Sequence, residues 1–379
     1  MEGLDRAKRL YDDRGLRARE LKEEGKKIIG YICCQPPTEL ITAAGFVPYR
    51  VTGTLEPVTE ADKYLETLMC PYVRKCFDLA LKGGYDFLDG MIWPHTCDNI
   101  QKTYEVWKYH MPYSFFPCLE VPHMADPSSF VFFRREIELL KKGLEEFAGT
   151  KITDERLREA IVAHNEIRSL LRQLSGLRKK EPPLISGVEM TQVTVAVIGL
   201  PVEEANVLLR EVIDEVQARD DGPRRKPARL LIYGSEIDDI AFVSLVEASG
   251  ANVVIDDLCI GTRHYRDDVA LDGDPLMALA DRYLGKIMCP RTYRRSPGTR
   301  QEDLDNRFGY LRAYARDYDV NGAILYIIRY CDTFEFDVPD VRDYLRDAGI
   351  PCLHLEDDYS LTSIGGLRTR IEAFLEAID

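Results

Sequence analysis

The 379 residues predict an α/β protein in which two similar parallel-sheet domains flank a helical segment. Three observations carry this. Short apolar runs bounded by Gly and Pro alternate with helix-forming stretches at both ends of the chain. The middle carries helical periodicity alone. The two ends also repeat one another in element order.

The opening MEGLDRAKRLYDDRGLRARELKEEGKK is a charged helix-former with no apolar stretch, so it does not read as a secretory signal. Residues 28–34 form a short buried strand, bounded by Pro36 and Pro37. Thr38 can cap a helix over Glu39–Ala44 that Gly45 ends, and Phe46–Val51 is the next strand. Tyr85–Pro94 is a further buried strand, followed by the turn His95–Asp98 and a helix from Asn99. Tyr113–Val121 closes the unit. Strands alternating with helices require a parallel sheet.

Residues 127–226 change character, with three long amphipathic stretches and then the linker DDGPRRKPA. From 227 the α/β pattern returns: a strand through Gly234, a helix over Ile237–Ser249, and a strand after Gly250. Val320–Tyr330 is a strand, Val338–Ala348 a helix, Cys352–Glu356 a strand, and Gly366–Ile378 the last helix. The divisions are therefore 1–126, 127–226 and 227–379, the outer two being Rossmann- or flavodoxin-like. In both, a Cys-Asp pair follows a buried strand (Cys97-Asp98 and Cys331-Asp332), and Met-Cys-Pro occurs at Cys70 and at Cys289. A duplication explains the match.

With 45% hydrophobic and 30% charged residues the chain can bury a core, which excludes disorder. A net charge of −14 argues against a general nucleic-acid or anionic-membrane binder, because counterion release needs clustered Lys and Arg. No run approaches the roughly 18 apolar residues of a membrane span. A cytoplasmic chain follows, and there the ten cysteines read as thiols or metal ligands, not disulfides.

Ligands of open α/β sheets bind beyond the carboxyl ends of the strands. Cys97 and Cys331 fall there, one per domain, and Cys70 precedes a helix start at Pro71. If the domains face each other, three thiolates suit a soft centre, either zinc or an iron–sulfur cluster with one open iron. The plainer reading of each is core packing, since free Cys is among the most buried residue types. Glu39 can act as a general base at the cleft, or simply favour the helix N-terminus. His95 and Asp98 flank Cys97 as a proton donor and a hydrogen-bond acceptor, or as turn formers. Arg368 and Arg370 read as a phosphate site or, preferably, a solvated helix face. No phosphate loop, nucleophile elbow or ferredoxin cysteine run occurs.

GYICCQPPTELITAAGFVPYRVTG, MCPYVRKCFDLALKGGYDFLDGMIWPHTCDNIQKTYEVW, RYCDTFEFDVPDVRDYLRDAGIPCLHLEDDYS and GGLRTRIEAFLE together resemble the 2-hydroxyacyl-CoA dehydratase and benzoyl-CoA reductase subunits. The resemblance spans most of 27–379 and loosens over 150–220. It implies an iron–sulfur subunit holding a 4Fe-4S cluster between its domains through Cys70, Cys97 and Cys331. Some relatives carry a Cys just after the second strand, where this chain reads VTG, so Cys33 or Cys34 remains open as the third ligand. The resemblance further implies an acyl-CoA substrate, a homologous second subunit and an ATP-hydrolysing iron–sulfur activator. The chemistry implied is low-potential one-electron reduction of the thioester, with Glu39 and His95 as candidate catalytic residues. Two alternatives accompany it: a double-cubane reductase of small molecules, drawing on Cys33, Cys34 and Cys76, and a non-catalytic electron-relay subunit.

Overall fold

The computed structural model describes residues 2–294, 296 and 298–378. The charged opening breaks into α1 (Gly3–Asp12) and α2 (Leu16–Glu23). β1 (Ile28–Tyr31) is buried at all four positions. It stops short of the expected strand because Cys33 turns the chain at φ 67°. α3 (Thr38–Ala43) ends at Gly45, whose φ of 86° an L side chain rarely adopts. β2 (Val47–Arg50) follows, then α4 (Pro71–Leu81), β3 (Gly90–His95), α5 (Asp98–His110) and β4 (Cys118–Glu120). Pro71 opens α4 at the position where a missing N–H costs nothing. The expected strand over Tyr113–Val121 shrinks to three residues, because Pro112 and Pro117 have no N–H for a ladder.

The helical segment comprises α6 (Pro127–Ala148), α7 (Asp154–Gly176), α8 (Gly187–Val197) and α9 (Val202–Ala218). Asp126, Thr153 and Ser186 cap the first three, and Ser186 forms a reciprocal box with Glu189. The second sheet unit runs β5 (Ala228–Gly234), α10 (Ile240–Ala248), β6 (Ala251–Asp257), α11 (Thr262–Tyr265) and α12 (Pro275–Ala280). A π-turn over Asp281–Lys286 leads to α13 (Arg300–Asp317), β7 (Gly322–Ile328), α14 (Asp332–Arg346), β8 (Cys352–Asp357) and α15 (Ile364–Ile378). α14 begins six residues before the expected Val338 and carries Pro339 inside it.

The two sheets are β2-β1-β3-β4 and β6-β5-β7-β8, parallel throughout and identical in order. These are two flavodoxin-like domains. In each, the chain reverses its winding direction between the first and third strands, which opens a crevice at their carboxyl ends. One apolar core runs continuously through both sheets, and a second joins α1 to α7, α8 and α9. Polar ties also cross the boundary. Asp238 accepts from Arg14 at 3.0 Å and from the Gly53 N–H at 2.9 Å. Arg50, at the end of β2, donates to Glu236 beyond β5 at 2.6 Å. The crevices of the two domains therefore face each other. Among the described residues no helix is long and apolar enough to cross a membrane.

Candidate metal centre

Cys70, Cys97 and Cys331 hold one structural role three times over: each is the N-cap residue of a helix, of α4, α5 and α14 respectively. A helix N-terminus carries partial positive charge and free N–H groups, so each thiol sits where an anion is favoured. Burial nevertheless dominates the thiols themselves. It pushes Cys70 up to about 11 against the N–H groups of Val73 and Tyr72. It pushes Cys97 up to about 12, opposed by the Ile100 N–H and reinforced by Cys70. Cys331 is raised well above the usual thiol range by burial, with Cys70 and Cys97 adding to the effect. Cys97 thus feels Cys70, and Cys331 feels both of the others, which places the three turns near one another.

More thiols than these meet there. Cys33 and Cys34 lie beyond β1, with Gln35 Oε1 at 2.8 and 3.5 Å from their sulfurs. Cys259, which follows β6 and accepts from Arg263 at 3.2 Å, raises the Cys34 thiol together with Cys33 and burial. The Cys34 thiol lowers the Cys33 pKa against the opposing effect of burial. Burial, then Cys259 and Cys33, raise the Cys289 thiol, and Cys289 in turn adds to the rise of Cys97. By contrast Cys118 and Cys352 begin β4 and β8, at the amino ends of their strands. Among the described residues no three His, Cys, Asp or Glu side chains gather on a single metal ion.

Unpartnered polar atoms surround the thiols. Thr96 Oγ1, Ser235 Oγ, Glu236 Oε2 and Arg50 Nε are buried without a hydrogen-bond partner. Burial lifts Glu236 to about 7, with Arg50 holding it back. Beside this region a cavity of about 290 Å³ is lined by Tyr233, Cys289, Arg294, Arg307, Tyr310 and Asp337.

The remaining sequence candidates have other surroundings. Glu39 is fully buried on α3, where it accepts from Arg168 and, at 2.8 Å, from the Tyr283 hydroxyl. His95 ends β3 with its Nδ1 2.6 Å from Glu120 Oε2 and its ring edge-on to His123. Asp98 is exposed in the first turn of α5, 3.4 Å from Lys102. Arg370 is exposed and donates to the His354 carbonyl at 2.6 Å. Cys76 is buried within α4, on the helix that Cys70 caps.

Sequence reasoning leaves out Glu236, Cys259, Cys289 and Arg291, the last of which donates to the Thr96 carbonyl beside Cys97 at 2.8 Å. Cys289 has one local signal, the repeated Met-Cys-Pro, but Pro290 opens only a turn where Pro71 opens a helix. The others arrive through tertiary packing alone.

This chain, with two flavodoxin-like domains of matching strand order, belongs to a known family. Residues 33–378 match the family described as "2-hydroxyglutaryl-CoA dehydratase, D-component". The chain is 28% identical over 384 residues to one of the subunits of benzoyl-CoA reductase from Thauera aromatica, covering 99% of this chain and 97% of that one. It is 26% identical over 362 residues to the (R)-phenyllactyl-CoA dehydratase beta subunit of Clostridium sporogenes, covering 95% and 94%. It is 27% identical over 366 residues to the beta subunit of lactoyl-CoA dehydratase from Anaerotignum propionicum, covering 94% and 93%. The chain is thus an enzyme subunit of the dehydratase and reductase type.

Proposed function

We propose that this chain is the iron–sulfur subunit of a cytoplasmic, ATP-dependent, radical-type acyl-CoA enzyme, either a 2-hydroxyacyl-CoA dehydratase or a benzoyl-CoA reductase. One observation supports the reading: Cys70, Cys97 and Cys331 each cap a helix, and hydrogen bonds from Asn99 tie the turns that carry them. The donor set fits a 4Fe-4S cluster. Thiolate is the ligand such clusters take, and three thiolates leave one iron without a protein ligand. When bound, the cluster supplies low-potential single electrons and an open iron that polarises a carbonyl or hydroxyl.

The chain's own residues do the rest. Cys70, Cys97 and Cys331 lose their protons on loading, and the N-termini of α4, α5 and α14 stabilise the charge that replaces them. The shared core keeps water and dioxygen away from a reactive intermediate. His95, paired with Glu120, can hold and hand on a proton at the end of β3. Glu39 orders the start of α3 through Arg168 and Tyr283, and its candidacy as a base is part of this proposal. The cavity beside Cys289 is near the lower size limit of small-molecule pockets and can admit an acyl group.

The relatives are named as single subunits of larger enzymes, which supports a homologous second subunit here. Electrons then come from a separate ATP-hydrolysing iron–sulfur activator. A relay subunit that binds no acyl-CoA is a second reading, favoured by relatives named beta subunits. The additional Cys33 and Cys34 at the centre favour a third, a double-cubane cluster. Turnover of the chain with an activator addresses the second reading. Anaerobic purification with iron and sulfide counting separates the first from the third: about four irons per chain for a single cluster, about eight for a double one. Stoichiometric zinc without labile sulfide would falsify both. Assay of the complete complex with activator and ATP, against benzoyl-CoA and 2-hydroxyacyl-CoA panels, decides the reaction. Loss of hydroxyl without net electron use means dehydratase. Ring reduction with stoichiometric electron use means reductase.

A further inference from the structure

Asn99 is the second residue of α5, two positions past Cys97, and its carboxamide is held at both ends. Its Oδ1 accepts from the backbone N–H of Cys70 at 2.9 Å. Its Nδ2 donates to the carbonyl of Tyr330, the residue before Cys331, at 3.2 Å. Tyr330 has φ 63°, a left-handed conformation that a bulky residue adopts only when its surroundings impose it. The bond from Asn99 grips that residue across the domain boundary.

A single short side chain thereby joins all three cysteine-bearing turns. It reaches Cys97 through two peptide links, Cys70 through its acceptor and Cys331 through its donor. The carboxamide has both functions at one tip, whereas Asp has only acceptors and Ala has neither. We propose that Asn99 is a positioning residue that fixes the mutual placement of Cys70, Cys97 and Cys331, and with it retention of the group they hold. This rests on the reading that the three thiols form one centre.

Asn99→Ala and Asn99→Asp in the complete, anaerobically purified complex test it. Iron release to a chelator is followed first, then alkylation of each cysteine in the metal-free chain by mass spectrometry. Asn99→Ala is expected to release iron about 10- to 100-fold faster, the usual effect of losing a residue that orients a metal ligand. It should also speed alkylation of Cys70 and Cys331 selectively, while Cys118 and Cys352 keep their wild-type rates. Asn99→Asp keeps the acceptor for Cys70, so it should expose Cys331 alone. Wild-type release rates and alkylation patterns in both variants would overturn the proposal. So would a rise shared equally by Cys118 and Cys352, which signals general loosening. A wild-type complex without iron would end the cluster reading, yet the alkylation pattern still decides the role of Asn99.

Discussion

Arg291 donates its Nε hydrogen to the carbonyl of Thr96 at 2.8 Å, and Thr96 immediately precedes Cys97. The same guanidinium donates to the carbonyls of Pro122 and Val121 at 2.8 and 2.9 Å. A buried arginine from the second domain thus satisfies three carbonyls at the carboxyl ends of β3 and β4. Hydrogen bonds to a charged group contribute about 1.5–3 kcal/mol each, although not additively. Arg291→Ala should therefore cost about 3–5 kcal/mol in denaturant unfolding. Arg291→Lys should recover only part, because an ammonium lacks the planar fork that reaches three acceptors. Wild-type stability in the Lys variant would show that the fork contributes nothing.

Glu39 ties stability to acid pH with a definite sign. Burial alone would raise its carboxyl, but Arg168, then His164 and Arg282, pull it down to about 2. A carboxyl depressed in the fold contributes stability above its unfolded value and loses it as pH falls through the folded one. Stability should thus drop between about pH 4.5 and 2. Glu39→Gln should flatten that slope and cost about 3–5 kcal/mol at neutral pH, since Arg168 is left buried without its partner. A variant that stays fully stable but stops turning over would assign Glu39 to catalysis.

His164 has the complementary behaviour. Burial pushes its imidazole down to about 4, and its Nε2 lies 2.9 Å from the Thr42 hydroxyl. The folded state keeps this ring neutral where the unfolded chain protonates it. Stability should therefore fall as pH drops from about 6.5 to 4, by about 3 kcal/mol. Glu236, raised to about 7, works in the opposite direction between about 4.5 and 7, so wild-type curves alone will look shallow. The informative quantity is the difference between wild type and His164→Asn across that range. Parallel curves would show that His164 is not held neutral.

Much of the fold is legible in the sequence because its signals are local. The two Cys-Asp turns mark equivalent strand ends in the two halves, and the observed strand orders match. The aromatic run from Tyr85 reads as strand, yet ladder pairing starts only at Gly90, because an apolar run bounds a buried segment without fixing its backbone. Residues 258–299 carry little local signal. They hold two short helices, a π-turn and buried arginines whose partners lie far along the chain. Arg291 and Glu236 join the site through such distant partners, and no local pattern announces them. Cys97 and Cys331 are readable for the opposite reason: each stands at a strand-to-helix turn that periodicity alone locates.

The cysteines themselves provide the most direct test. Under the proposed cluster, Cys97→Ala and Cys331→Ala should each remove most of the iron, and Cys70→Ala should behave like them, since all three cap helices and Asn99 ties their turns. Cys118→Ala and Cys352→Ala should keep full iron, because those residues start strands at the opposite edges of the sheets. Cys259→Ala is also expected to keep it. Arg263, which donates to that sulfur, has its own buried partner in Asp257, so removing the thiol leaves the cation paired. Each variant is purified anaerobically, and its iron, labile sulfide and unfolding midpoint are measured together, so that loss of metal is not confused with loss of fold. Cys33 and Cys34 arbitrate the third ligand. If Cys70→Ala retains full iron while Cys33→Ala or Cys34→Ala loses it, the cluster is anchored beyond β1 and not at the start of α4.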